Sequence, residues 1–262
     1  MIDLGRTAIV TGGAGGIGVS VTRRLADVGY SVVVADINDE AARTSAAGLP
    51  VVGQAKHSSY SGDLADSGVN RRLAEHAAEI APIGVIVNAV GISPKDNGRK
   101  RSFFDISDEE WDQTMNINVR APFLLVREAF RLMATDGRSS IVNLLSITSK
   151  PGTGGPPGAS FPPFLPSSIA YAASKAALQN LTASLSRELA PYKIRVNGVA
   201  PGFVATTMLG GMPDEQRMLS QVPSGRFGRP EEIADAIEFL VSEKASYING
   251  ASIDINGGWL TC

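Results

Sequence analysis

The sequence is short of residues that many site chemistries need. It has one cysteine among 262 residues, the terminal Cys262, so no internal disulfide can form. A reducing, cytoplasmic setting is expected from that, and Cys262 is read as a terminal residue with no catalytic role. The two histidines, His57 and His76, are expected to be solvated, and no His/Cys/Asp cluster has metal-ligand spacing. No G-x-S-x-G elbow occurs, so serine hydrolysis is unsupported. No apolar run reaches the length of a membrane span, and Met1-Ile2-Asp3-Leu4 leads straight into the first expected strand. A balance of 24 Lys and Arg against 26 Asp and Glu gives a net charge of −2, with no basic footprint for nucleic acid. What is present is 44% hydrophobic, which allows a substantial core and argues against disorder.

The most informative stretch runs from Ala8 to Asp36. Ala8-Ile9-Val10 suits a buried strand, and Thr11-Gly12-Gly13-Ala14-Gly15-Gly16-Ile17-Gly18 follows it. Ile17, Val21, Leu25 and Val28 then recur at helical spacing. Val32-Val33-Val34-Ala35 makes a second strand that ends in Asp36. Strand, glycine turn, helix, strand and acid together predict a dinucleotide site. Glycines let the backbone approach a pyrophosphate, and a helix N-terminus offers free N–H groups and a positive dipole end. An acid about 20 residues past the turn can accept hydrogen bonds from the adenosine ribose. Gly13, Gly15 and Gly18 fit G-x-G-x-x-G, while Thr11, Gly12, Gly16 and Gly18 fit T-G-x-x-x-G-x-G.

Beyond Asp36, helices are expected over Glu40 to Leu49 and Leu64 to Ile80, with a poor strand between them from Val51 to Tyr60. Ile83 to Val87 is a fourth strand. Asp96, Arg99, Lys100 and Arg101 read as a solvated loop. Ser107 and Glu110 have the spacing of a capping box. The helix they open carries Trp111, Met115, Val119, Phe123 and Val126, a stripe read as core. Strands follow at Ser139 to Leu145, Arg195 to Ala200 and Ser252 to Ile255, and helices at Ile169 to Leu189 and from Pro230. Lys150 to Ser168 is a Pro/Gly/Ser-rich loop, and Phe203 to Phe227 is irregular with a short helix. The alternation predicts an α/β chain with a parallel sheet covered on both faces. No linker divides it, so residues 1–262 are expected to form one domain.

Tyr171-Ala172-Ala173-Ser174-Lys175 is the second strong pattern. On a helix, residues four apart share a face, so a phenol and an ammonium can point into one cleft. A tyrosine is too weak a base at neutral pH, and a nearby positive charge favours its phenolate. Taken with the glycine turn, these motifs resemble the short-chain dehydrogenase/reductase family along nearly the whole chain. Asp63 stands at the family's adenine-contacting acid. Trp111, Asp112, Asn118 and Phe123 match its W-D-x-x-x-x-x-N-x-x-x-x-F helix. Ile141 to Ser146 resembles the strand ending in its catalytic serine, and Tyr171 and Lys175 match Y-x-x-x-K. Pro201-Gly202-Phe203-Val204-Ala205-Thr206 resembles the segment that holds the nicotinamide carboxamide, and Ile248-Asn249-Gly250 with Asp254 to Gly258 the C-terminal signature.

The resemblance implies a doubly wound Rossmann fold with a seven-stranded parallel sheet. It implies Tyr171 as general acid/base, Lys175 as ribose ligand and modulator of the tyrosine, Ser146 as the hydrogen-bond partner of the substrate oxygen, and Asn118 as support for Lys175 through a water. It implies cofactor contacts at Gly12, Gly15, Gly16, Ile17, Gly18, Asp36, Ile37, Asp63, Leu64, Asn88, Ala89, Gly91, Tyr171, Lys175, Pro201, Gly202, Val204 and Thr206, and a homotetramer. The long apolar helices at Trp111 to Met133 and Ile169 to Leu189 and the tail Trp259-Leu260 agree with the last point. NAD is expected over NADP, because Asp36 would oppose a 2′-phosphate and Gly15 and Ile37 supply no cation. The expected reaction interconverts a secondary alcohol and a ketone. The alternative is a 3-oxoacyl-thioester reductase, a class that usually uses NADPH. Two features depart from the family. Asn88-Ala89-Val90-Gly91 replaces N-N-A-G, and extra residues within Gly152 to Ser167 separate Ser146 from Tyr171. That insertion either lines the substrate pocket or makes a surface excursion.

Overall fold

A computed structural model describes residues 5–209 and 215–261. Cys262, Met1 to Leu4 and part of the Phe203–Phe227 segment therefore lie outside the described residues. Seven parallel strands form a single sheet: β1 (Thr7–Thr11), β2 (Ser31–Asp36), β3 (Ser58–Ser61), β4 (Ile83–Asn88), β5 (Ser139–Leu144), β6 (Ile194–Pro201) and β7 (Ser252–Ile255). Their order is β3-β2-β1-β4-β5-β6-β7. The direction of winding reverses between β1 and β4, and such a switch point opens a crevice at the carboxyl ends of the strands.

The strand period of two sorts the core into layers. Ala8, Val10, Val32, Val34, Val85 and Val87 face one side, where α1 (Gly16–Asp27) and α8 (Pro230–Val241) cover them with Val21, Leu25, Ile233 and Ile237. Ile9, Val33, Ile86 and Ile141 face the other, under α3 (Ser67–Ile80) and α5 (Ala121–Ala129) with Leu73, Ala77 and Leu125. Burying one such aliphatic side chain contributes about 1.5–3 kcal/mol. The smaller helix α2 (Asp39–Ala47) starts on Asn38, whose side chain accepts from Ala41 N.

Three expectations need correction. The poor strand at Val51 to Tyr60 shrinks to Ser58–Ser61. Val51 and Val52 are exposed and Gly53 sits at φ 63°, so the chain turns before it reaches the sheet edge. The following helix starts at Ser67, because Asp66 caps it through Val69 N at 2.8 Å. The stripe from Trp111 to Val126 is not continuous core. A π turn at Asn116–Arg120 separates α4 (Asp108–Met115) from α5 and shifts the phase of the helix. Leu125 and Val126 pack into the layer under the sheet and Leu124 is buried beside them, while Trp111 and Phe123 are 40% and 41% exposed.

Candidate active site

The crevice at the switch point is a cavity of about 470 Å³. Its floor is the glycine turn. Thr11 ties the two strand ends together, accepting from Val90 N at 3.3 Å. Gly12 has φ +62°, and a Cβ there would stand 3.0 Å from Val90 Cα, so this close approach requires glycine. A Cβ on Gly18 would lie 2.0 Å from Gly12 O, which packs the first turn of α1 onto the loop. Gly15 and Gly16 have open space where side chains would be. Gly15 caps α1 without any side-chain hydrogen bond, so the first N–H groups of the helix face the cavity. A pyrophosphate fits this open, donor-lined cradle.

Asp36 ends β2 on the cavity wall. One carboxylate oxygen accepts from Ala14 N and the other from Asn38 N, both at 3.2 Å. These bonds aim the carboxylate beside the glycine turn. Among the described residues no cation forms an ion pair with it: Arg43 bonds Asp39 at 2.9 Å, and Arg6 bonds Asp136. Ile37 is 72% exposed at the cavity rim. Asp63, Leu64, Ala89, Gly91, Ile17, Pro201, Gly202, Val204 and Thr206 also line the cavity. Asn88 does not. It is buried in the sheet and donates to Asn143 at 2.8 Å, and Asn143 donates in turn to Thr182 at 2.8 Å.

The helix α6 (Ile169–Glu188) brings in the chemistry. Ser168 caps it, accepting from Tyr171 N at 3.4 Å. Tyr171 and Lys175 lie on one face, with the ammonium 5.8 Å from the ring centre. Lys175 Nζ donates to Leu144 O at 2.7 Å. Burial lowers its pKa to about 8. Burial also raises the Tyr171 pKa, and the hydrogen bond from Ser146 opposes that rise. Ser146 lies two residues past the end of β5 and is steered by Thr148, whose hydroxyl donates to Ser146 Oγ at 3.0 Å. Asn118 sits in the π turn. Its side chain accepts from Ile92 N at 2.8 Å and donates to Ile92 O and Ser174 Oγ at 3.0 and 2.9 Å. Those bonds fix the segment after β4, and none of them reaches Lys175. A Cβ on Gly91 would lie 3.2 Å from Lys175 Nζ and 3.4 Å from Asn118 Oδ1, so the missing side chain lets the three meet.

Three irregular segments close the rest of the cavity. Leu165, Pro166 and Ser167, at the end of the insertion, line it. Leu165 packs with Ile147, Phe203, Met218 and Val222. Gln221, just past α7 (Glu215–Leu219), holds Phe164 by both backbone groups at 2.8 and 3.1 Å. Arg217 stacks 3.9 Å over the Phe164 ring. Lys100 donates to Gly154 O at 2.8 Å and Lys95 to Met208 O at 3.0 Å. The charged run after β4 is therefore not wholly solvated, and the insertion is seated on the cavity wall. No local pattern announced Lys95 or Ser174, because each acts through a contact distant in sequence.

The histidines depart from expectation. His57 accepts from Val32 N at 3.2 Å and reaches Pro50 O at 3.0 Å, and His76 meets Ser58 Oγ at 2.9 Å. Both brace the β3 edge. Among the described residues no group of three potential metal ligands occurs, and no helix is long and apolar enough to cross a membrane.

The family model described as enoyl-(acyl carrier protein) reductase matches residues 12–260. The chain is 34% identical to (3R)-3-hydroxyacyl-CoA dehydrogenase of Rattus norvegicus, over 96% of this chain and 95% of that protein. The chain belongs to the short-chain dehydrogenase/reductase family. It is 35% identical to the 3-oxoacyl-[acyl-carrier-protein] reductase FabG of Rickettsia bellii, over 99% of each chain. A solved short-chain dehydrogenase/reductase of Brucella melitensis, titled glucose/ribitol dehydrogenase, superposes with a TM-score of 0.82 at 31% identity, over 98% of this chain and 97% of that one. As a member of the family, this chain is an oxidoreductase of hydroxyl and keto groups that works with a nicotinamide cofactor.

Proposed function

We propose that the protein is an NAD-dependent dehydrogenase that interconverts a secondary alcohol and a ketone, with residues 1–262 acting as one catalytic domain. The observation that carries this reading is that Ser146, Tyr171 and Lys175 line one cavity, with Asp36 on its wall. The bound nicotinamide supplies the hydride acceptor or donor. Ser146 donates a hydrogen bond to the substrate oxygen and orients it. Tyr171, as phenolate, takes the hydroxyl proton of the alcohol, and as phenol returns it to the ketone. With a pKa of about 8, Lys175 is mostly protonated at neutral pH and favours the phenolate against the burial that disfavours it. Asn118 and Ser174 hold the wall that faces Lys175.

The two carboxylate oxygens of Asp36 suit the ribose hydroxyls of NAD. A 2′-phosphate there would meet like charge with no cation beside it, which disfavours NADP. A 3-oxoacyl-thioester reductase is the second reading, favoured by the activities named for the relatives. Steady-state rates with both cofactors on one panel of alcohols, ketones and 3-oxoacyl thioesters separate the two. Activity confined to thioesters with NADP would overturn the first.

We further propose a homotetramer. The half-exposed Trp111 and Phe123 on α4 and α5 and Ile169 on α6 support it. The C-terminal tail supports it less, because Trp259 stacks edge-on against Phe203 within the chain. Light scattering tests the assembly. A cytoplasmic location is proposed from the single cysteine, which asks for no oxidising compartment.

A further inference from the structure

The substrate half of the cavity is mostly apolar, with one charge in it. Among the described lining residues the charged side chains are Asp36, Asp63, Lys175 and Lys95. The two acids stand at the adenosine end of the predicted site, and Lys175 beside Tyr171. That leaves Lys95 as the charge available to substrate. It follows Gly91 by four residues, a span of at most about 14 Å, and Gly91 stands against Lys175. Lys95 is half-buried, and burial lowers its pKa. It donates to a neutral acceptor, Met208 O of another lining residue, at 3.0 Å. An ammonium has three donors, so two remain for another partner. No carboxylate among the described residues forms an ion pair with it. A half-buried cation answered by one carbonyl is a ready partner for an anion, because charge-assisted hydrogen bonds strengthen as water is excluded.

We propose that Lys95 is a specificity-determining residue that anchors an anionic oxygen group, carboxylate or phosphate, carried by the alcohol or ketone substrate. This rests on the alcohol/ketone reading above and names the substrate class. The substrate is bound at two points: its reacting oxygen between Ser146 and Tyr171, and its anionic group at Lys95. Two-point binding fixes which face of the carbonyl the substrate presents. The tether to Met208 then doubles as a sensor. An anion drawing on the same ammonium joins the 92–104 segment to the segment after β6 through a single side chain.

The test uses the wild type, Lys95→Met and Lys95→Arg, with two readouts. The first is kcat/KM for a four-carbon 3-oxo acid and for its methyl ester, and for a phosphorylated hydroxyketone and its unphosphorylated form. The second is calorimetric binding of butanoate and of inorganic phosphate to the enzyme–NAD complex, which needs no turnover. In the wild type one anionic substrate is expected to exceed its neutral partner by at least about tenfold. The matching probe, butanoate or phosphate, should bind and so identify the source. Lys95→Met should bring the anionic-to-neutral ratio of kcat/KM close to one, and Lys95→Arg should restore most of it. A purely structural tether would move the neutral and anionic substrates together. Equal use of acid and neutral partner by the wild type, or probe binding that survives Lys95→Met, overturns the proposal. Lys95-dependent probe binding with no turnover of any alcohol or ketone upholds the anion site and rejects the dehydrogenase reading instead.

Discussion

The two halves of the cavity are built in opposite ways. The cofactor half is made of strand ends and a helix N-terminus. Thr11, Gly12, Gly16 and Asp36 come from one continuous βαβ unit, and backbone bonds from Ala14 and Asn38 hold the acid. The substrate half is made of three irregular segments joined by side-chain bonds. Lys95 and Lys100 reach to carbonyls of Met208 and Gly154, Gln221 grips Phe164, and Leu165 fills an apolar cluster shared by all the walls but one. One half is rigid because it is regular. The other leans on cross-links between its segments, and such regions sit at the low-stability end of a fold. A common cofactor with a variable substrate calls for this division.

Tyr171 lies where the halves meet, and its loss should give the largest effect. Tyr171→Phe removes one hydroxyl and no packing, so turnover should fall by about 10²–10⁴-fold or more, with NAD affinity unchanged. Near-normal turnover would reject Tyr171 as acid/base. Lys175→Met should lower both turnover and NAD affinity, since one side chain serves both halves.

The cofactor half is sharpened by Asp36→Ala. The wild type is expected to favour NAD over NADP by at least about tenfold, a difference of about 1.4 kcal/mol. The variant should lose most of that preference while its ranking of substrates stays the same. A preference for NADP in the wild type would show that Asp36 does not meet the ribose, and would move the thioester reductase reading to first place.

The substrate half is probed by Leu165→Ala. Truncating a leucine in a well-packed cluster costs about 2–5 kcal/mol, and this cluster lies at the cavity's edge, so the lower end is expected. KM for substrate should rise and NAD affinity should hold, as measured by steady-state kinetics and fluorescence titration. Equal loss of both would mean that the two halves do not act separately. Removing the insertion from Gly152 to Ser167 should alter the substrate ranking in the same selective way.

This division also decides what the chain reveals before it folds. Gly12, Gly18, Asp36, Tyr171 and Lys175 were legible because strand and helix periods place them and a nearby motif explains them. The seven strands and their order of appearance were legible for the same reason. The phase shift at Asn116–Arg120 was not, because a π turn leaves no mark in hydrophobic period, and it turned Trp111 and Phe123 outward. Lys95 was not legible because its role depends on the Met208 carbonyl, which only the folded chain brings near. The histidines misled because a polar run looked like surface, whereas His57 meets the Val32 backbone and His76 the Ser58 hydroxyl at the sheet edge.

The smallest expected effect is on stability, and it isolates the buried charge shared by both halves. Lys175 has a folded pKa of about 8 against 10.5 when unfolded. Below about 8 both states hold the proton, and the cost of burying an ammonium is present in full, offset in part by the bond to Leu144 O. Between about 8 and 10.5 the unfolded chain still holds the proton while the folded protein releases it. The unfolded state then binds more protons, so this group's contribution to stability rises with pH through that window. Tyr171 works the other way, since its raised pKa makes the folded state retain a proton above 10.0, and stability then falls. A titration that stops short of pH 10.0 therefore separates the two groups. Lys175→Met carries no charge to bury. The Tm advantage of the variant over wild type, both without cofactor, should be largest near neutral pH and shrink as pH climbs past 8. A gap that stays constant across that range would mean that Lys175 keeps its charge when buried, held by partners other than Leu144 O.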